Sequence, residues 1–366
     1  MTTRHHSTTR LIVAALVLAA TAQFAVPAPA LDDRAITLRT ERDIAVRRQE
    51  LIRHIWGPQG FPERRLPSVV KRNVPSPVRG LDKLARVDEL RFDLAPGLEG
   101  LAYHFIPASP NRELVILHHG HACSLDDSPS PADPGYGLQH TIRALLLNGY
   151  GVLGVYMPRQ RPGDCGGSHE ALFSIPTQGS ALKYFLEPVA FSLNHLKSRS
   201  GAADLPKYRA YHMAGLSGGG WTATVYAAID PTIQLSFPIA GSIPLYLRSG
   251  GSIGDLEQFE PSFYRIAGYP DLYVLGAHGR NRAQVQILNR RDDCCFGEAE
   301  HDPRTTGLPY ANAMRLYAQQ VSEALSRIGS GTFRLEIDDT APSHLISDHA
   351  IQDILLPELR RHAPSR

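Results

Sequence analysis

The sequence lacks a dominant charge: 38 Lys and Arg stand against 36 Asp and Glu, a formal net charge of +2 over 366 residues. No basic stripe with interleaved aromatics breaks that balance, which argues against a nucleic-acid partner. No apolar run reaches the ~20 residues of a membrane-spanning helix. The longest, Leu11–Ala20 within a stretch reaching Val26, follows Arg4 and Arg10 and precedes Ala28, Pro29 and Ala30. A basic start, a short apolar core and an A-x-A site read as a secretory signal peptide over 1–30, cleaved after Ala30, leaving no membrane span in the mature chain. An uncleaved anchor is the alternative, and no cysteine follows the run to carry a lipid. There is no internal repeat, no H-E-x-x-H and no paired C-x-x-C, so the spaced signatures of metal binding are missing. Cysteine is scarce. Cys123, Cys165, Cys294 and Cys295 are expected to pair as disulfides in an exported chain, with three connectivities open. Joining the adjacent pair is strained, because neighbouring Cα atoms lie ~3.8 Å apart and disulfides prefer more than ~4.4 Å.

What is present is an alternation of strand and helix patterns. Residues 31–83 read as an extension and linker: Glu41 to Trp56 is an amphipathic helix with Ile44, Leu51, Ile52 and Ile55 on one side, ended by Gly57-Pro58, and a Pro-, Arg- and Ser-rich stretch runs to Gly80. From 84 onward, strands are expected at 85–94, 101–106, 113–118, 151–156, 208–214, 233–240, 285–289 and 332–337. Helices are expected at 139–147, 181–197, 221–228, 310–328 and 347–360, with an insertion over 243–270. Strands alternating with helices imply an α/β domain over 84–366, with a mostly parallel central sheet flanked by helices.

The densest chemical signal is Gly215-Leu216-Ser217-Gly218-Gly219, between the apolar strand pattern Tyr208–Ala214 and the helix pattern Trp221–Ala228. A G-x-S-x-G in a strand–turn–helix setting presents its serine at a cramped corner, and small neighbours let strand and helix close around it. The helix then starts at the serine, so its free N–H groups and positive dipole end face any negative charge forming there.

These residues, in this order, resemble the α/β-hydrolase fold over about residues 85–362. More narrowly, Gly215–Thr224 and Ile287–Phe296 resemble a group of exported bacterial members. The resemblance implies a serine esterase with a Ser-His-Asp triad, an N-terminal helical extension and a small insertion over the active site. It places the base in the loop after the last strand, where His344 is preferred. His349 is the alternative; Ser347 and Asp348 look like the cap and first residue of the final helix, which would put His349 inside its first turn while His344 stays in the loop. It places the acid after the penultimate strand, where Asp292 is preferred, Asp293 is the alternative, and Asp255 or Glu257 in the insertion are a more distant choice. The backbones of Gly218 and His121 would hold the oxyanion. Tyr246, Phe259, Phe263 and Tyr264 offer aromatic surface in the insertion, with Ser168 and His169 in the neighbouring 159–180 loop.

His118, His119, His121, Cys123, Asp164, Cys165, His169 and Glu170 can also be read as metal ligands. No helix aligns the histidines and the cysteines of exported chains prefer disulfides, so no metal and no cofactor is expected. In the fold that the chain resembles, the strands ending near Cys123 and Cys165 are neighbours ~4.8 Å apart, while the one before Cys294 lies ~14 Å away. That favours Cys123–Cys165 and leaves Cys294 and Cys295 to bridge each other or stay as thiols, with the bridge preferred. The resulting expectation is a secreted or periplasmic hydrolase of a small-molecule carboxylic ester, working through an acyl-enzyme. A serine peptidase or acyltransferase on the same residues, and a non-catalytic binding protein on a hydrolase scaffold, are the alternatives.

Overall fold

The computed structural model describes residues 33–126, 135–198, 205–248 and 254–363. The expected signal segment 1–30 lies outside them.

Short runs of β-branched and aliphatic residues form the strands, and their burial on both faces sets their composition. In β4 (Glu113–His118) and β5 (Gly151–Val155) every residue is buried. Such near-continuous apolar strands belong to the interior of a sheet covered on both sides. The described residues form a nine-stranded sheet in which β1 (Val69–Lys71), β2 (Leu84–Ala95) and β3 (Leu98–Pro107) lead into β5, β4, β8 (Ala210–Leu216), β9 (Ile233–Ile239), β10 (Ala283–Asn289) and β11 (Thr332–Asp338), in that spatial order. The first three strands pair antiparallel, as does β3 with β5. From β5 to β11 every pairing is parallel. A separate hairpin joins β6 (Gln160–Arg161) to β7 (Asp164–Cys165).

The two-residue period of the strands divides the core. Leu114 and Ile116 of β4 face one apolar cluster, and Val115 and Leu117 the other. The first cluster takes buried faces of α1 (Glu41–Trp56), α3 (Lys183–Ser198), α4 (Gly218–Ile229), α5 (Tyr269–Ala277) and α6 (Tyr310–Ile328); the second takes α2 (Leu138–Leu147) and the C-terminal helix. Ile44, Leu51, Ile52 and Ile55 of α1 are all buried in the first, as the 3.6-residue spacing anticipates.

Three features differ from the sequence reading. The Pro- and Arg-rich stretch before residue 80 is not only a linker, because Val69–Lys71 adds an edge strand beside β2. The helix of the insertion region runs to Ala277, past the expected end at 270. The last helix passes through a π-helical segment, Ala350–Leu355, before Leu356–Arg361 closes it.

Two buried polar side chains tie layers together. Asp33 accepts from the amides of Leu245, Tyr246 and Tyr269, so the start of the extension holds the insertion. Arg282, 5% exposed, donates to the carbonyls of Ala227, Ile233, Leu275 and His278 at 2.7–3.1 Å. It gathers the C-terminal ends of α4 and α5, whose last carbonyls have no helical partner. Replacing Arg282 with Met keeps the apolar stem and orphans these acceptors. Urea unfolding is expected to show a loss of about 3 kcal/mol or more, and a change under about 0.5 kcal/mol would refute this role.

Candidate active site

At the end of β8 the chain turns through Ser217, whose φ of 58° and ψ of −129° lie in a region L-residues seldom occupy. Ser217 N–H donates to the Ile239 carbonyl at 3.0 Å, and its carbonyl accepts from Trp221 N–H at 3.0 Å, so both sides of the corner are held. The turn closes only because side chains are missing. A Cβ on Gly215 would strike the Gly219 carbonyl, and one on Gly219 would strike the His118 carbonyl. The helix that follows is buried along its whole length, and the Trp221 indole N–H donates to the Tyr264 hydroxyl at 2.7 Å.

The turn after β10 folds around Asp292. This carboxylate is 2% exposed, and its Oδ1 accepts from the amides of Cys294 and Cys295 at 2.9 and 3.1 Å. Its Oδ2 lies 2.8 Å from His344 Nδ1. His344 Nε2 is buried and has no hydrogen-bond partner. Asp293 takes a different part, accepting at 3.2 Å from the backbone N–H of His344.

Two side chains that the sequence reading did not single out shape the His344 loop. Asn289, the last residue of β10, donates through Nδ2 to the carbonyls of Ser343 and Leu345 at 3.1 and 2.7 Å, gripping the backbone on either side of His344. Asp338, the last of β11, accepts from Thr340 and Ala341 amides and from the Ser347 hydroxyl, bridging the start of the loop to its end. The available signal was a polar residue at the last position of each strand. Their positions at the strand C-termini match the edge where parallel sheets bind ligands.

Ser217 and His344 line one cavity of about 440 Å³, together with His121, Tyr136, Phe296 and the Cys294–Cys295 pair. His349 is elsewhere: it pairs with Asp353 one turn along its own helix, on an exposed face. Asp255 and Glu257 also do not meet His344; they pair with His121 and His169. The expected aromatic surface is distributed differently as well. Phe263 and Tyr264 are core residues, Phe259 lines a separate cavity, and Tyr246 packs partly buried against the core with Arg34 over its ring.

His118 and His119 are wholly buried. Burial holds the His119 imidazole down at about 3 and pushes His118 well below the ordinary range, so both are neutral. His119 Nε2 bonds the Gln160 carbonyl at 2.9 Å. Disulfides join Cys123 to Cys165 and Cys294 to Cys295, with Cα separations of 5.7 and 3.8 Å. The first ties the loop carrying His121 to the β6–β7 hairpin.

No family model and no curated protein matches the chain. Solved structures do. A methylesterase superimposes with a TM-score of 0.55 at 13% identity, over 88% of this chain and 65% of that one. The glucuronoyl esterase from Solibacter usitatus gives 0.52 at 14%, over 90% and 93%. The acylaminoacyl peptidase from Pyrococcus horikoshii gives 0.50 at 14%, over 78% of this chain. The chain thus spans 43% of the peptidase and 65% of the methylesterase, under two thirds of either. This is the α/β-hydrolase fold. In an α/β-hydrolase the strand order seen here brings the ends of β8, β10 and β11 to one edge, which is where Ser217, Asp292 and His344 stand. No helix among the described residues is long and apolar enough to cross a membrane.

Asn289→Leu removes the grip on the His344 loop and leaves two carbonyls unmatched. A fall in unfolding free energy of about 2–4 kcal/mol is expected by urea titration; an unchanged midpoint would show that the loop is held by other means.

Proposed function

We propose that the chain is an exported serine hydrolase that cleaves carboxylic esters through an acyl-enzyme. The observation that carries this reading is the Asp292–His344 contact of 2.8 Å, with the far imidazole nitrogen buried, unpartnered and beside the cavity that Ser217 lines. Ser217 Oγ attacks the ester carbonyl while His344 Nε2 takes its proton. The imidazolium then passes that proton to the departing alcohol. Asp292 holds the tautomer with the Nδ1 proton and stabilises the imidazolium, and the Cys294 and Cys295 amides hold its carboxylate in place. The backbone N–H groups of Gly218 and His121 receive the oxyanion, each worth about 3 kcal/mol in the transition state. Water, activated by the same histidine, releases the acid.

Two observations support the substrate class and a third supports export. The cavity wall combines Phe296, Tyr136 and the paired sulfurs with few charges, suiting a small ester over a polymer backbone. Two of the proteins with superimposable structures are described as esterases. The basic start and apolar run before Ala30, with two disulfides, fit an exported chain whose leader is removed.

A fluorophosphonate probe tests the reading. The wild type is expected to be labelled and Ser217→Ala not, and equal labelling of both would defeat the serine assignment. Asp292→Asn is expected to lower kcat on p-nitrophenyl acetate on the order of 10³- to 10⁴-fold with little change in KM, because the imidazole is then held in the wrong tautomer.

A further inference from the structure

Beside the Ser217 cavity lies a second group of titratable side chains that the ester-cleaving steps leave unused. His121, His169, Asp255 and Glu257 each present one nitrogen or oxygen within 4.8 Å of the others. His121 Nε2 is 2.9 Å from Asp255 Oδ2, His169 Nδ1 is 2.9 Å from Glu257 Oε1, and the same nitrogen is 3.9 Å from Asp255 Oδ2. The two imidazole rings lie 4.8 Å apart, centre to centre.

Charge makes the arrangement unusual. The Glu257 side chain is fully buried, and its second oxygen, Oε2, has no partner. Among the described residues, the ion pairs of Asp255 and Glu257 are made with imidazoles. Two carboxylates, one of them desolvated, converge on ring nitrogens, and an ionised carboxylate out of water needs a cation or hydrogen bonds on each oxygen.

The supports are rigid. The Cys123–Cys165 disulfide joins the loop of His121, two residues before Cys123, to the hairpin that leads into His169, four residues after Cys165. On the other side, the Glu257 carbonyl accepts from the Tyr264 hydroxyl and the Gln258 carbonyl from the Tyr269 hydroxyl. A cavity of about 370 Å³ lined by His121, His169 and Asp255 gives access from solvent.

We propose that His121, His169, Asp255 and Glu257 bind one divalent transition-metal ion of the zinc type. Two imidazoles and two carboxylates are a four-coordinate donor set for such an ion, and bonds of about 2.0–2.2 Å put neighbouring donors roughly 3.3 Å apart in a tetrahedron. The separations of 2.9–4.8 Å bracket that value. Mg²⁺ and Ca²⁺ are disfavoured because they require six or more oxygens. The ion fastens the loop that carries His121 to the segment that carries Asp255 and Glu257, forming one wall of the Ser217 cavity. The ligands come from three separate loops, so no sequence spacing advertises them. This departs from the expectation of no metal, and it does not depend on the ester-hydrolase reading.

Zinc titration of the EDTA-stripped full chain by calorimetry, with melting curves, tests the site. Saturable binding of one Zn²⁺ with Kd below about 1 µM is expected, with a rise in melting temperature that Mg²⁺ and Ca²⁺ do not reproduce. Glu257→Gln and His169→Gln are each expected to weaken binding roughly 100-fold. Asp255→Asn, on a half-exposed side chain and so safe for folding, is expected to weaken it about 10-fold. His344→Gln is expected to leave binding unchanged. Absence of saturable binding, binding that survives all three ligand variants, or binding lost with His344→Gln alone would overturn the proposal.

Discussion

The structure depends on a steric constraint: a serine with left-handed φ wedged between a buried strand and a buried helix. Ser217 is bonded to Ile239 on one side and to Trp221 on the other. Its neighbours at 215 and 219 must lack a Cβ, because backbone carbonyls occupy those places. Such strain persists only where the surroundings over-determine it. Here they are β9, β4 and a wholly buried α4, so the core of the sheet is also what holds the hydroxyl at the strand edge. Arg282 and Asn289 extend the same logic outward, one gathering helix ends and the other gripping the loop of His344.

Much of this was legible in the chain. The glycine spacing around Ser217 points to the corner, because only one chain geometry needs small residues on both sides of a serine between a strand and a helix pattern. The apolar side of α1 and the buried strands followed their periods. The choice of Asp292 over Asp293 was open from sequence, since both follow the same strand in one turn, and the structure gives them different tasks: one faces the His344 ring, the other its backbone N–H. Asn289 and Asp338 were missed because their roles depend on a loop brought close by sheet pairing, not on local pattern. The edge strand at Val69–Lys71 was missed for a similar reason: Pro and Arg obscure three residues whose strand character comes from β2 beside them.

Two loops with different tasks meet at His121. Its backbone N–H belongs to the proposed oxyanion site, while its ring faces Asp255 and the His169–Glu257 pair. The Cys123–Cys165 disulfide limits how far that backbone can drift, and a bound ion would limit it further. The Cys294–Cys295 turn plays the matching part for Asp292, whose Oδ1 accepts from its two amides, and both cysteines line the cavity. Disulfides therefore hold both the loop of His121 and the turn of Asp292.

The most direct measurement is a crystal structure of the chain inactivated by a dialkyl phosphoryl fluoride. The expected density joins phosphorus to Ser217 Oγ, with the phosphoryl oxygen between the N–H groups of Gly218 and His121 and His344 Nε2 beside the ester oxygen. Phosphorus on any other side chain, or a phosphoryl oxygen turned to solvent with His344 out of reach, would contradict the account.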